Sequence, residues 1–126
     1  MRKLSFVIVD DAMFIRTLLK KMIEENQDFS IIGEASNGFE AIEQARLKKP
    51  DIMTLDITMP EMNGTKAVPE ILKASPKTKI IMVSAMGQQS MVLEAIMAGA
   101  CDFVVKPFEK SRVLQAIKNV ASGIEI

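Results

Sequence analysis

Five polar residues stand where short apolar runs end. Asp10 and Asp11 close "LSFVIVDD", Asp56 closes "IMTLD", Ser84 closes "KIIMVS" and Lys106 closes "DFVVK". If the runs are parallel strands, these residues share the carboxyl edge of one sheet, where α/β domains bind their ligands. Three carboxylates crowded at that edge repel one another, by roughly 4 kcal/mol for two charges about 4 Å apart at an effective dielectric near 20. Either one takes up a proton or a cation sits between them. An oxygen-only set suits a hard divalent ion such as Mg2+. The chain has no His and a single Cys, so zinc lacks its usual ligands. A divalent cation, the Lys106 ammonium and the Ser84 hydroxyl would together surround a phosphoryl group, whose transfer depends on positioning and charge stabilisation. Asp56 would then be a carboxylate nucleophile that forms an aspartyl phosphate. An Asp after a strand ordinarily just caps the next helix, and a lone Ser or Lys there is commonplace. What favours chemistry is that all five meet at one edge.

The elements that must position them are legible as alternation. Strand-length apolar runs occur at residues 5–9, 29–35, 52–55, 79–83 and 102–105, with helical periodicity between them. In the first such segment Ile15, Leu18, Leu19, Met22 and Ile23 form a stripe, and Arg16, Lys20 and Glu24 lie off it. The central runs are apolar on both faces, so the sheet should be parallel and covered on both sides by right-handed crossovers. The expectation is one doubly wound α/β domain over residues 1–126, five strands and five helices, ending with a helix from about Lys110 to Ala121. Pro69 within "GTKAVPEILKA" removes a donor from the third helix, which is therefore expected to start irregularly or only near Pro69.

Composition excludes several roles. Lys plus Arg equals Asp plus Glu at 16 each, so no net field attracts nucleic acid or an anionic membrane. No apolar run is long enough to cross a bilayer, and the acid pair cuts short the apolar stretch that follows the basic N-terminus, unlike a secretory signal. A soluble, monomeric, cytoplasmic protein without disulfides is expected.

The motifs "VDDAMFIR", "PDIMTLDITMPEMNG", "SAMGQQ" and "AGACDFVVKPF" together resemble the receiver domains of two-component response regulators, and among those the single-domain chemotaxis regulators. The likeness runs from about Leu4 to Ala121. It implies a flavodoxin-like five-stranded sheet of order 2-1-3-4-5. It implies Asp56 as phosphoacceptor, with Asp11, Asp56 and the backbone carbonyl of Thr58 as Mg2+ contacts and Asp10 assisting through water. Ser84 corresponds to the switch hydroxyl, Lys106 to the partner of the phosphoryl oxygen, and Phe103 to the aromatic that changes rotamer with it. A cis peptide is implied between Lys106 and Pro107. A histidine kinase would be the phosphodonor, a flagellar-motor switch protein the target and a dedicated phosphatase the antagonist. Such a protein catalyses its own phosphorylation and hydrolyses the product slowly, as a switch rather than a turnover enzyme. Met86 and Gly87 offer no acid or amide to position a water, which also favours slow intrinsic hydrolysis.

The stretch Met91 to Ala98 is apolar nearly all round, so part of it should stay exposed. Met86, Met91 and Met97 would make that surface adaptable. The fourth helix, fifth strand and fifth helix are the expected docking face, with Lys110, Arg112 and Lys118 at its rim. Two alternatives fit less well, and a third stays open. A phosphatase of the haloacid dehalogenase type wants an acid where Thr58 stands and a cap segment over its substrate. In a flavodoxin-like FMN binder the "DDAMF" loop would repel the phosphate. A receiver from a two-domain DNA-binding regulator would share all of these motifs.

Overall fold

The computed structural model describes residues 2–124. Strands β1 (Leu4–Val9), β2 (Phe29–Ala35), β3 (Ile52–Asp56), β4 (Lys79–Ser84) and β5 (Asp102–Val105) alternate with helices α1 (Met13–Glu24), α2 (Gly38–Lys48), α3 (Gly64–Ala74), α4 (Gln89–Ala98) and α5 (Lys110–Ala121). All strand pairs are parallel, in the order β2-β1-β3-β4-β5. The doubly wound expectation holds, and each strand starts and ends within about a residue of its apolar run.

Alternation along β1 explains why its apolar run is unbroken. Phe6 and Ile8 point into a core shared with Leu19 and Ile23 of α1 and Val113 and Ile117 of α5. Val7 and Val9 point to the other face, against Ala41 of α2, Val68 and Ile71 of α3 and Ala95 of α4. Each such side chain, fully buried, contributes about 2 kcal/mol, and the Phe6 ring also packs tilted against Phe29 at 5.1 Å between centroids. With both faces covered, charged groups on β1 and β3 lie only at or beyond the strand ends, although the Thr54 hydroxyl is buried midway along β3.

At the amino edge Asp51, just before β3, is fully engaged. Arg2 donates to it through both terminal nitrogens, at 2.6 and 2.9 Å, and Ser5 donates through its N–H at 2.8 Å and its hydroxyl at 3.1 Å.

Helix α3 departs from expectation. It begins at Gly64, five residues before Pro69, and runs through the proline. The Asn63 side chain caps it by accepting the Lys66 N–H at 3.0 Å. Pro69 sits on the exposed side of the helix, where the loss of one donor is tolerated. Gly64 is needed for packing: a Cβ there would come within 2.2 Å of the Asp56 carbonyl oxygen.

Candidate functional site

The loop after β1 is not a simple helix cap. The N-cap of α1 is Ala12, whose methyl side chain cannot accept a hydrogen bond. Asp10 Oδ1 instead accepts the Ala12 N–H at 2.9 Å, holding the turn, and leaves Oδ2 pointing along the sheet edge. Arg16, which the periodicity places merely off the apolar stripe, is half-buried and grips this loop. Its Nη1 donates to the Asp10 carbonyl at 2.7 Å, while its Nε and the Lys20 ammonium both hold Glu34 on β2.

Asp56 ends β3 and Ser84 ends β4, and both are buried. Lys106 follows β5 with its N–H on the Ser84 carbonyl at 2.7 Å. Its Nζ lies 3.0 Å from Asp10 Oδ2 and 3.5 Å from Asp56 Oδ1. The Lys106–Pro107 peptide is cis, as the resemblance implies. Asp10, Asp11, Asp56, Ser84 and Lys106 therefore meet at one edge, as their positions in the chain predict. Thr58 lies at the same edge, two residues past Asp56.

The electrostatics are unbalanced. Burial, followed by the neighbouring Asp10 charge, pushes the Asp56 carboxyl up to about 6, against the pull of Lys106 and with a further push from Asp11. Burial alone would pull Lys106 down, but Asp10 and Asp56 outweigh it and raise it above its ordinary value. The Lys106 ammonium thus serves a cluster of three carboxylates.

The residues fit a hard divalent cation. Asp10, Asp11 and Asp56 each offer an oxygen, all within 4.8 Å of one another. Asp10 Oδ2 is buried and, although ion-paired with Lys106, receives no hydrogen bond of good angle. A buried carboxylate oxygen left short of donors is a ready metal contact.

Phe103 lies outside this cluster. It is 37% exposed on β5 and lines a groove of about 470 Å3 with Ser84, Met86, Leu93 and Ile96. Arg112 covers its ring at 5.9 Å and donates to its carbonyl at 2.6 Å. Ser84 therefore lines the groove and, through its carbonyl, is bonded to the backbone of Lys106. Of the methionines expected on this face, Met86 (79% exposed) and Met97 (80%) are on the surface. Met91 is only partly so: it is half-buried and packs against the core. At the rim Lys110 pairs with Glu25, just past the end of α1, and Lys118 is exposed.

Sequence reading missed Gln88. Its side-chain Nε2 donates to Thr58 Oγ1 and its Oε1 accepts the Ala85 N–H, both at 2.7 Å. An amide thus stands at the site mouth that Met86 and Gly87 do not supply. Only the glutamines in "SAMGQQ" signalled it, and nothing in their spacing distinguished a bridging side chain from a solvated one.

This sheet order, with the acid cluster and lysine at its carboxyl edge, defines a class. The chain belongs to the response regulator receiver domain family, whose model matches residues 6–118. It is closely related to proteins named chemotaxis protein CheY. That of Thermotoga maritima is 56% identical over 115 residues, 91% of this chain and 95% of that protein. That of Listeria monocytogenes is 52% identical over 118 residues, 94% and 98% of the two chains. Among solved structures, a CheX–CheY–BeF3–Mg2+ complex from Borrelia burgdorferi matches with a TM-score of 0.88 at 34% identity, covering 94% of this chain and 90% of that one. These relatives favour neither the phosphatase nor the two-domain DNA-binding alternative. Among the described residues no helix is long and apolar enough to cross a membrane.

Proposed function

We propose that residues 1–126 form one receiver domain that accepts a phosphoryl group on Asp56 from a histidine kinase and thereby switches a chemotaxis output in the cytoplasm. The observation that carries this is the placement of Asp56, buried with Lys106 Nζ 3.5 Å from its carboxylate and with an oxygen of Asp10 and of Asp11 within 4.8 Å. Asp11, Asp56 and the Thr58 carbonyl would hold Mg2+, with Asp10 assisting through water. Bound there, the ion supplies the positive charge that the three carboxylates and the incoming phosphoryl oxygens lack.

This chain's own residues do the rest. A carboxylate oxygen of Asp56 forms the new P–O bond as the P–N bond of a phosphohistidine breaks, and the departing imidazole takes up a proton. Lys106, kept charged by Asp10 and Asp56, pairs with a phosphoryl oxygen. The Ser84 hydroxyl donates to another, and Phe103, which shares the groove with Ser84, follows by changing rotamer. The groove and the exposed α4 residues Leu93 and Met97 would receive a flagellar-motor switch protein. A dedicated phosphatase would reverse the state, with slow self-hydrolysis beneath it. The Borrelia relative supports this reading, since its complex joins a second protein, Mg2+ and BeF3, an isostere of the phosphoryl group.

The test is intact mass after incubation with a small acyl phosphate, with and without Mg2+. One adduct on the unmodified chain, absent from Asp56→Asn and absent without Mg2+, is the expected outcome. A folded chain that gains no adduct would reduce the cluster to an ion site.

A further inference from the structure

Gln88 is the residue at this edge that the phosphoryl chemistry leaves without a task. It holds the N-cap position of α4, yet its side chain makes no capping bond there. Its carboxamide spans the mouth of the site instead, from Thr58 Oγ1 to the Ala85 N–H. Both bonds are at the short end for N–H···O contacts. They tie the loop after β3 to the loop after β4, and each loop carries site residues: Thr58 lies two positions past Asp56, and Ala85 immediately follows Ser84. The other residues of the second loop have little else to hold them. Ala85, Met86 and Gly87 are exposed, and Gly87 turns at φ 86° with nothing within 4 Å of where a Cβ would stand.

The Ala85 N–H is thus a donor at the carboxyl end of β4, directly beside the strand that bears Asp56, and a neutral amide oxygen occupies it. A phosphoryl oxygen is the stronger acceptor, because hydrogen bonds to charged groups are roughly twice as strong as neutral ones. We propose that Gln88 is a clasp that holds the Ala85 N–H and the start of α4 in the unphosphorylated arrangement, and that a phosphoryl group on Asp56 displaces it from that N–H. Gln88 immediately precedes the first residue of α4, so its release frees the amino end of the helix that borders the groove. Gln88 is therefore a positioning residue, which sets how readily the site accepts phosphate and passes that state to α4. This inference rests on the phosphoryl reading of Asp56.

The experiment follows adduct formation by intact mass on the full chain with Mg2+ and a subsaturating acyl phosphate, alongside thermal unfolding of each variant. Gln88→Leu removes both bonds and is expected to reach half-phosphorylation at about fivefold lower donor, the worth of one exchanged hydrogen bond. Thr58→Val removes only the bond to the hydroxyl and should give a smaller gain in the same direction. The double variant should gain no more than Gln88→Leu alone, because both substitutions open the same clasp. Gln88→Glu puts a charged acceptor on the Ala85 N–H and should need at least as much donor as the unmodified chain. A residue that merely braces the turn would lower the melting temperature when replaced and leave the donor dependence unchanged, or phosphorylation would slow; either result overturns the clasp. If Gln88→Leu does not fold, Thr58→Val decides alone by the same sign. An adduct on the unmodified chain with no gain in the variants removes only the clasp, whereas no adduct on the unmodified chain removes the phosphoryl reading and the clasp with it.

Discussion

Asp51 and Asp56 bracket the same strand and are treated in opposite ways. At the amino edge, Asp51 has four donor contacts from Arg2 and Ser5. Burial would push its carboxyl up, but those donors outweigh it and hold it below its ordinary value. At the carboxyl edge, Asp56 must share Lys106 with Asp10, and its carboxyl rises to about 6. A buried acid whose lone pairs are matched by donors is a brace. One with too few partners holds a reserve of unfavourable charge that a cation or a reaction can relieve.

The largest effect should come from breaking the brace. Asp51→Ala leaves Arg2 and the Ser5 N–H without their acceptor and is expected to cost about 3 kcal/mol in urea unfolding near neutral pH. Its folded pKa lies below the unfolded one, so its contribution is complete above the unfolded value and is lost as pH falls. The deficit of the variant should accordingly shrink in acid, and a deficit independent of pH would mean that the charge plays no part.

At the other end the expected sign reverses with the addition of a cation. Mg2+ at about a hundred times its Kd should stabilise the unmodified chain by about 2.7 kcal/mol and Asp56→Asn by clearly less. Equal gains would place the ion elsewhere. In the presence of a chelator, Asp56→Asn itself should be more stable than the unmodified chain, by up to about 3 kcal/mol at slightly alkaline pH. The folded carboxyl titrates at about 6, above its ordinary value of 3.8, so ionised Asp56 weakens the fold progressively as pH rises through that window. The advantage of the variant should vanish below it. A destabilised Asp56→Asn chain would make the two acids alike and dissolve the contrast.

Much of this was legible in the sequence. Five apolar runs, each ending on Asp, Ser or Lys or leading to a helix, pointed to both the sheet and the edge where the site would lie, because a strand buried on both faces can shed charged groups only at its ends. Pro69 misled, since the rule that proline breaks helices speaks of the interior of the helix and not of the Asn63 cap that had already started it. Met91 misled because α4 is apolar nearly all round, so composition could not say which side meets α3. The bonds of Gln88 and of Arg16 were illegible for a different reason. Both are long polar side chains that reach backbone or hydroxyl groups on other elements, and such partners leave no periodicity in the sequence.

The ion pair between Asp10 and Lys106 closes at 3.0 Å between residues 96 positions apart in a chain of 126. The first strand supplies one charge and the segment after the last strand supplies the other. During synthesis, β1 to β4 could pair in turn, yet the environment of Asp56 would lack the Lys106 ammonium until β5 had left the ribosome and docked. If Asp56 is the phosphoacceptor proposed above, a partly made or misdocked chain would present it to a donor without the Lys106 charge. On the proposed reading, competence to accept a phosphoryl group would then depend on β5 having docked.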